Sequence, residues 1–165
     1  MAGLTNEQRI ALKAAIIADP ALTVWVQANN EQAIADYYNV TGTVYVWRTN
    51  VTRSEIYHRT SGEATTWNWT TYKNQAVAEQ NAWVQIFMGD EANFALPNLR
   101  SGVDAIFSGA GAAAAQRAHI AAIAKRFASR VEALFATGLG TNASPSVMTF
   151  EGSLTAQDIA DTMRS

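Results

Sequence analysis

Apolar positions in the first forty residues recur at helical spacing and are punctuated by helix signals. Thr5 followed by Gln8 has capping-box spacing, Glu7 favours the positive end of the helix dipole, and Arg9 to Ala18 holds no breaker, so a helix is predicted over about residues 6–18. Its apolar residues Ile10, Leu12, Ile16 and Ile17 point more than one way round the axis, which predicts contact on two sides. Asp19-Pro20 closes this helix and opens a short one over 20–28, with Asp19 as N-cap and Pro20 at the first helical position. Asn30-Glu31 starts a third piece that runs through Ile34, Tyr37 and Tyr38 and ends near Asn39.

The middle is less regular. Thr43 to Arg48 is rich in β-branched and aromatic residues and reads as a short strand or an extended linker. Its best partner for a short β-hairpin is Thr65 to Thr70, where Trp67 and Trp69 share one face at a period of two, but the same residues could equally run as a loop into the core. Ser54 to Arg59 reads as a helical turn. A helix is predicted over Lys73 to Met88, burying Val77, Trp83, Val84, Ile86 and Phe87 and stopped by Gly89. Pro97 introduces another through Leu99, Val103, Ile106 and Phe107.

Residues 112–136 hold neither Pro nor Gly and are dense in alanine, which predicts one helix of about 25 residues and roughly 37 Å. Ile120, Ile123, Phe127, Val131 and Leu134 form its stripe, His119, Arg126 and Arg130 one flank, and Lys125 with Ser129 and Glu132 the other. Thr137 to Ser146 then reads as an exposed extended segment, followed by apolar Val147, Met148 and Phe150 in a polar tail. Thr155 with Asp158 three residues later predicts a last helix over about 155–164. The expected fold is therefore mainly α: a helical bundle domain over 1–136 with one long helix, and an extended C-terminal arm over 137–165 that ends in a short helix. Apolar residues in an arm need a cover, and the expectation is that another molecule supplies it.

Composition narrows the function. Twelve Lys plus Arg against 14 Asp plus Glu give a net charge of −2, so the basic surplus that duplex binding needs is missing. There is no cysteine and only His58 and His119, which removes disulfides and thiolate metal sites and makes an imidazole zinc site a poor fit. Charged residues make up 16% of the chain, below the roughly 25% usual for a globular domain, which suits a subunit partly covered by neighbours, although a monomer rich in Asn, Thr, Gln and Ser has the same signature. The N-terminal residues show no secretory pattern and no run of 18 apolar residues occurs, so a soluble protein with no membrane partner is expected.

Candidate chemistry does not assemble. Nucleophile-elbow, phosphate-loop and H-E-x-x-H motifs are missing. Gly138-Leu139-Gly140 follows a predicted helix and lacks a third glycine, so it reads as a helix stop; Asp90-Glu91 reads as a solvated turn pair; His58 reads as a surface histidine with no nucleophile beside it. The five tryptophans, spread over residues 25 to 83, read mostly as core. A protein that is not an enzyme and carries no cofactor or metal is expected.

Both ends of the chain resemble small virion structural proteins of tailed bacteriophages encoded near the capsid and portal. At the N-terminus the resemblance is carried by Leu4-Thr5 through Gln8-Arg9, Ala11 to Ile16 and Ala18 to Leu22; at the C-terminus by Lys125 to Gly138, Asn142 to Pro145 and Phe150 to Leu154. It covers about 70 residues by inspection. The resemblance implies a virion-located head-to-tail connector of the adaptor type, a homo-oligomeric ring attached to the portal protein that offers a platform to tail or nozzle proteins, with only passive contact with DNA in the channel. It also implies docking on the portal or a neighbour through Val147, Met148, Phe150 and Leu154, and subunit contacts through Lys125, Arg126 and Arg130, to which the flank of the long helix adds His119. Capsid decoration or tail completion is the alternative, and a helical DNA-binding packaging protein a more distant one.

Overall fold

Thr5 starts the first helix as its spacing predicts. In the computed structural model, which describes residues 3–60 and 65–164, its hydroxyl accepts from the Gln8 backbone N–H at 3.2 Å and the Gln8 side chain accepts from Thr5 N–H at 3.0 Å. Helix α1 spans Asn6–Ala18. Asp19 then accepts from Ala21 N–H at 2.9 Å and opens a 3-10 turn, Pro20–Leu22, that runs into α2, Thr23–Gln27. Asn30 caps α3, Glu31–Asn39, by accepting from Ala33 N–H at 3.1 Å.

The chain divides into two units, Met1–Val46 with Phe127–Ser165, and Trp47–Arg126. The boundaries fall at 46/47 and 126/127 rather than at 136/137. The first unit joins α1 to α3 with the strands and helices of the C-terminal end. Strand β1, Thr41–Trp47, pairs with β4, Lys125–Ser129. Helix α9, Arg130–Leu134, follows, and then β5, Ala136–Thr137, β6, Val147–Met148, and α10, Ala156–Arg164. Its core gathers Leu12, Ile16, Leu22, Ile34, Tyr38, Val131, Leu154 and Ile159, contributed by both ends of the sequence.

The second unit is one continuous stretch. Strand β2, Val51–Thr52, pairs antiparallel with β3, Glu91–Ala92, and between them lie α4, Arg53–His58, α5, Trp69–Lys73, and α6, Val77–Ile86. Helices α7, Pro97–Ile106, and α8, Ala112–Ile123, complete it. Its core is aromatic: Trp67 stacks on Trp83 at 5.2 Å between ring centres, and Phe107 meets Trp83 edge-on at 5.4 Å. Glu55 ties α4 to the chain before it, accepting from Arg48 at 2.9 Å and from Thr52 N–H at 3.0 Å. Burial pushes the Glu55 carboxyl up, but these donors outweigh it and hold the group below the usual carboxylate range.

The fold is mixed α/β rather than an all-α bundle with one long helix. The predicted helix over 112–136 is three elements: α8 stops at Ile123, β4 pairs with β1, and α9 starts again at Arg130. No Gly or Pro forces the break. Pairing with β1 supplies the strand, and a new cap supplies the restart: Ser129 accepts from Glu132 N–H at 3.3 Å, and the Glu132 carboxylate accepts from Ser129 N–H at 2.9 Å. Helix α8, at 12 residues, is about 18 Å long, half the expected length.

The extended arm is also corrected, because residues 137–164 fold back on their own unit. Strands β5 and β6 pair with Ala136 opposite Met148 and Thr137 opposite Val147. The loop between them is fastened to β1, since Tyr45 N–H donates to Gly140 C=O and Ser146 N–H to Tyr45 C=O, both at 2.8 Å. Gly140 has φ +67° there, and a Cβ would sit 2.6 Å from a Val44 methyl, so only glycine fits. Asn39 then clamps Leu154 from both sides, its amide donating to Leu154 C=O and its carbonyl accepting from Leu154 N–H, each at 2.8 Å. Helix α10 packs on α3 and α1.

In the middle, the strand partner of Thr41–Trp47 is β4 and not Thr65 to Thr70, which runs as a loop into α5. Trp67 is buried while Trp69 is 49% exposed, so the two do not share a face. The predicted helix over 73–88 is broken between α5 and α6, and it buries Trp83 and Phe87 but leaves Val77 and Val84 exposed.

Candidate functional site

Helix α1 has two apolar sides. Leu12 and Ile16 are buried in the core of the first unit, at 0% and 1% exposure, whereas Ile10 and Ile17 are 59% and 65% exposed. At about 100° per residue, Ile10, Ala14, Ile17 and Ala18 form one outward stripe, opposite Leu12. All four are exposed. The only formal charge near the centre line of that stripe is Glu7, one turn before it; Arg9 lies towards the buried side and Lys13 on the flank beside Ile17, and both are half-covered. The chain continues into Val24 on α2, which is 72% exposed. Contact on two sides was expected of α1; the chain itself covers one of them.

Of the four residues assigned to portal docking, one is buried in its own unit and three are half-covered by it. Leu154 is 4% exposed in the core, Phe150 packs half-buried against that core and meets Phe135 at 5.9 Å, and Val147 and Met148 are half-buried in β6. Leu154 is thus sheltered within the chain and the other three are half-sheltered there, so none of them runs out in a free arm. Sequence reasoning missed this because part of the cover comes from residues it placed on one long helix, Ala136 opposite Met148 and Phe135 against Phe150, and part from far along the chain, as Asn39 is from Leu154.

The cationic flank also dissolves with the long helix. His119 is fully buried in the second unit, where Nε2 donates to Ile56 C=O at 2.8 Å and Nδ1 lies 3.2 Å from the Thr65 hydroxyl. A carbonyl oxygen only accepts, which fixes the proton on Nε2 and makes His119 a tie between α8 and α4. Lys125 and Arg126 are half-buried in β4. Arg130 opens α9, and its guanidinium lies over the Tyr37 ring, 3.9 Å from its centre. Tyr37 in turn donates to Asp19 at 2.7 Å, which lowers the Asp19 pKa and raises that of the phenol. These four residues therefore form no common surface on a helix.

His58 is on the exposed turn of α4, as expected, and a hydroxyl does lie beside it: Ser54 Oγ is 3.3 Å from Nδ1. The same Nδ1 is 3.0 Å from Ser54 C=O and so carries the proton, which leaves it unable to accept one from Ser54. Asp90 and Glu91 are exposed at the start of β3, and Gly138 follows β5 rather than ending a helix. Among the described residues, no group of three or more His, Cys, Asp or Glu side chains could hold a metal ion, and no single helix is long and apolar enough to cross a membrane. No family model matches the chain, and no curated protein and no solved structure does so either.

Proposed function

We propose that the chain is a non-enzymatic structural subunit of a tailed-phage head-to-tail connector, an adaptor that forms a ring on the portal and offers a platform to the tail. The observation that carries this reading is the outer face of α1, where two isoleucines seven residues apart, with two alanines between and beside them, meet solvent on the side opposite the core. Single exposed apolar residues are ordinary, but an aligned uncharged stripe marks a surface that association covers. A second copy of the chain is its occupant. In a ring the contact is head to tail, so the α1 stripe of one subunit meets a different surface of the next.

The resemblance at the two chain ends supports the reading from another direction. Nearly all of the residues that carry it, from Leu4 to Leu22 and from Phe127 to Leu154, fall in the first unit. They belong to one folded body, the same body that presents the α1 stripe. Docking through an extended C-terminal arm has no part in this proposal.

The test is the native mass of the assembly by analytical ultracentrifugation, alone and mixed with portal protein. Ring-sized particles are expected, and Ile17→Asp, exposed and outside the core, should reduce them to monomers with an unchanged circular dichroism spectrum. A wild-type chain that stays monomeric in both conditions, or an Ile17→Asp chain that assembles as well as wild type, overturns the proposal.

A further inference from the structure

The second unit contains a small cavity of about 180 Å³ between α7 and α8. Its inner wall is apolar, formed by Phe94, Val103 and Ile120, each less than 5% exposed. A dry cavity of about 150 Å³ accommodates a benzene ring, so this one has room for a single ring-sized group.

Two arginines, Arg100 and Arg117, line the same cavity. Arg117 donates to Phe107 C=O and lies 3.7 Å from the carboxylate of Asp104, whose side chain is 70% exposed. Arg100 donates to Phe94 C=O at 2.5 Å and stacks over Trp47, 4.8 Å from the ring centre. Among the described residues no carboxylate pairs with Arg100. Burial without a counter-charge pushes its pKa down, the sign of a cation that has lost water and gained no anion in return. Each guanidinium has five N–H donors, more than its one backbone carbonyl and, for Arg117, the Asp104 carboxylate take up.

We propose that this cavity binds a compact carboxylate with an apolar body. The charge argues for a monoanion: two arginines against Asp104 leave a surplus of one positive charge. The wall argues for the apolar body, because Phe94, Val103 and Ile120 offer a phosphate or sulfate nothing but desolvation. A flat carboxylate also matches the fork of a guanidinium already fixed by its carbonyl and its ring. This site is independent of the α1 stripe and of the assembly reading.

Benzoate is the probe, titrated into isotope-labelled full-length protein and followed through backbone amide shifts. Saturable shifts are expected at Phe94, Val103, Ile120 and Ala121. Benzyl alcohol, of the same shape without the charge, should bind about tenfold or more weakly, the fold-change expected when a charge-assisted hydrogen bond is lost. Inorganic phosphate should be weaker than benzoate. Arg100→Gln should weaken benzoate by a similar factor, and Ala121→Leu, which fills the cavity without touching a charge, should abolish binding. No saturable shift in the wild type, phosphate binding as tightly as benzoate, or undiminished binding in Ala121→Leu overturns the proposal. Should Arg100→Gln fail to fold, the comparison of benzoate with benzyl alcohol on the wild type decides, and equal affinity for the two overturns it.

Discussion

The two units solve the same problem with opposite means. The unit over Trp47–Arg126 is continuous in sequence, and its core is built from rings, with Trp83 at 0% exposure touching Trp67, Phe87 and Phe107. The other unit has a mainly aliphatic core, with Tyr38 and Phe135 its buried rings, and is closed by residues from the two ends of the chain, as in the reciprocal Asn39–Leu154 bonds across 115 positions. A ring cluster gains its stability from a few large side chains, so its weak points are single residues. A core closed from both ends depends on long-range contacts, so its weak point is the fastening of the last segment.

The largest effect that separates the two is expected from Trp83→Ala. Removing a fully buried tryptophan leaves a cavity among Trp67, Phe87 and Phe107 and leaves the Tyr57 hydroxyl without the indole N–H that donates to it at 3.0 Å. A loss of about 3–5 kcal/mol is expected in urea unfolding. The near-ultraviolet circular dichroism should collapse, because the coupled tryptophans are in that unit. A loss below about 1 kcal/mol would show that the rings are not its main support.

Asn39→Ala should have the next largest effect, in the other unit. It removes one side chain and leaves both the N–H and the C=O of Leu154 without partners, a cost of about 1–3 kcal/mol. The measurement is hydrogen exchange. Amides of α10 should exchange faster while those of α6 and α8 keep their protection, and equal acceleration in both units would mean that the division does not hold energetically.

The contrast also explains what could be read from the sequence. Elements fixed by local chemistry were legible: the cap at Thr5, the Asp19-Pro20 step, Asn30 and Pro97 all mark helices that form where expected. Elements fixed by distant partners were not. Lys125 to Ser129 carries a helical apolar period, but pairing with β1 overrides it. One local mark of the break was present, since Ser129 and Glu132 have the spacing of a capping box in the middle of the supposed helix. The tail after Ala136 holds Gly, Ser and Pro in the pattern of a free arm, and nothing within it announces that Tyr45 and Asn39 will bind it. The candidate surface was half legible: the two-sided apolar pattern of α1 pointed to Ile10 and Ile17, but it could not say which side the chain would leave uncovered. Nothing in the spacing of Arg100 and Arg117 marked them as neighbours of one cavity.

The smallest expected effect is a difference in how the two units respond to alkali. Burial raises the Tyr38 pKa to about 12, with the Asp19 charge adding to it, whereas the burial that raises Tyr57 is opposed by the N–H that Trp83 donates to its oxygen. A phenol raised in the folded state above its ordinary value near 10 holds its proton longer than in the unfolded chain. Its contribution to stability is therefore complete below pH 10 and is lost as the pH rises towards 12. The unit with the mainly aliphatic core should loosen first, seen as faster proteolysis of the C-terminal segment and a late tyrosinate absorbance step, and Tyr38→Phe should reduce both, with the raised Tyr37 accounting for what remains in that unit. If Tyr38→Phe loosens over the same alkaline range as wild type, the titration of that phenol is not what separates the units; if the aromatic unit loosens first, the asymmetry between Tyr38 and Tyr57 has the opposite sign.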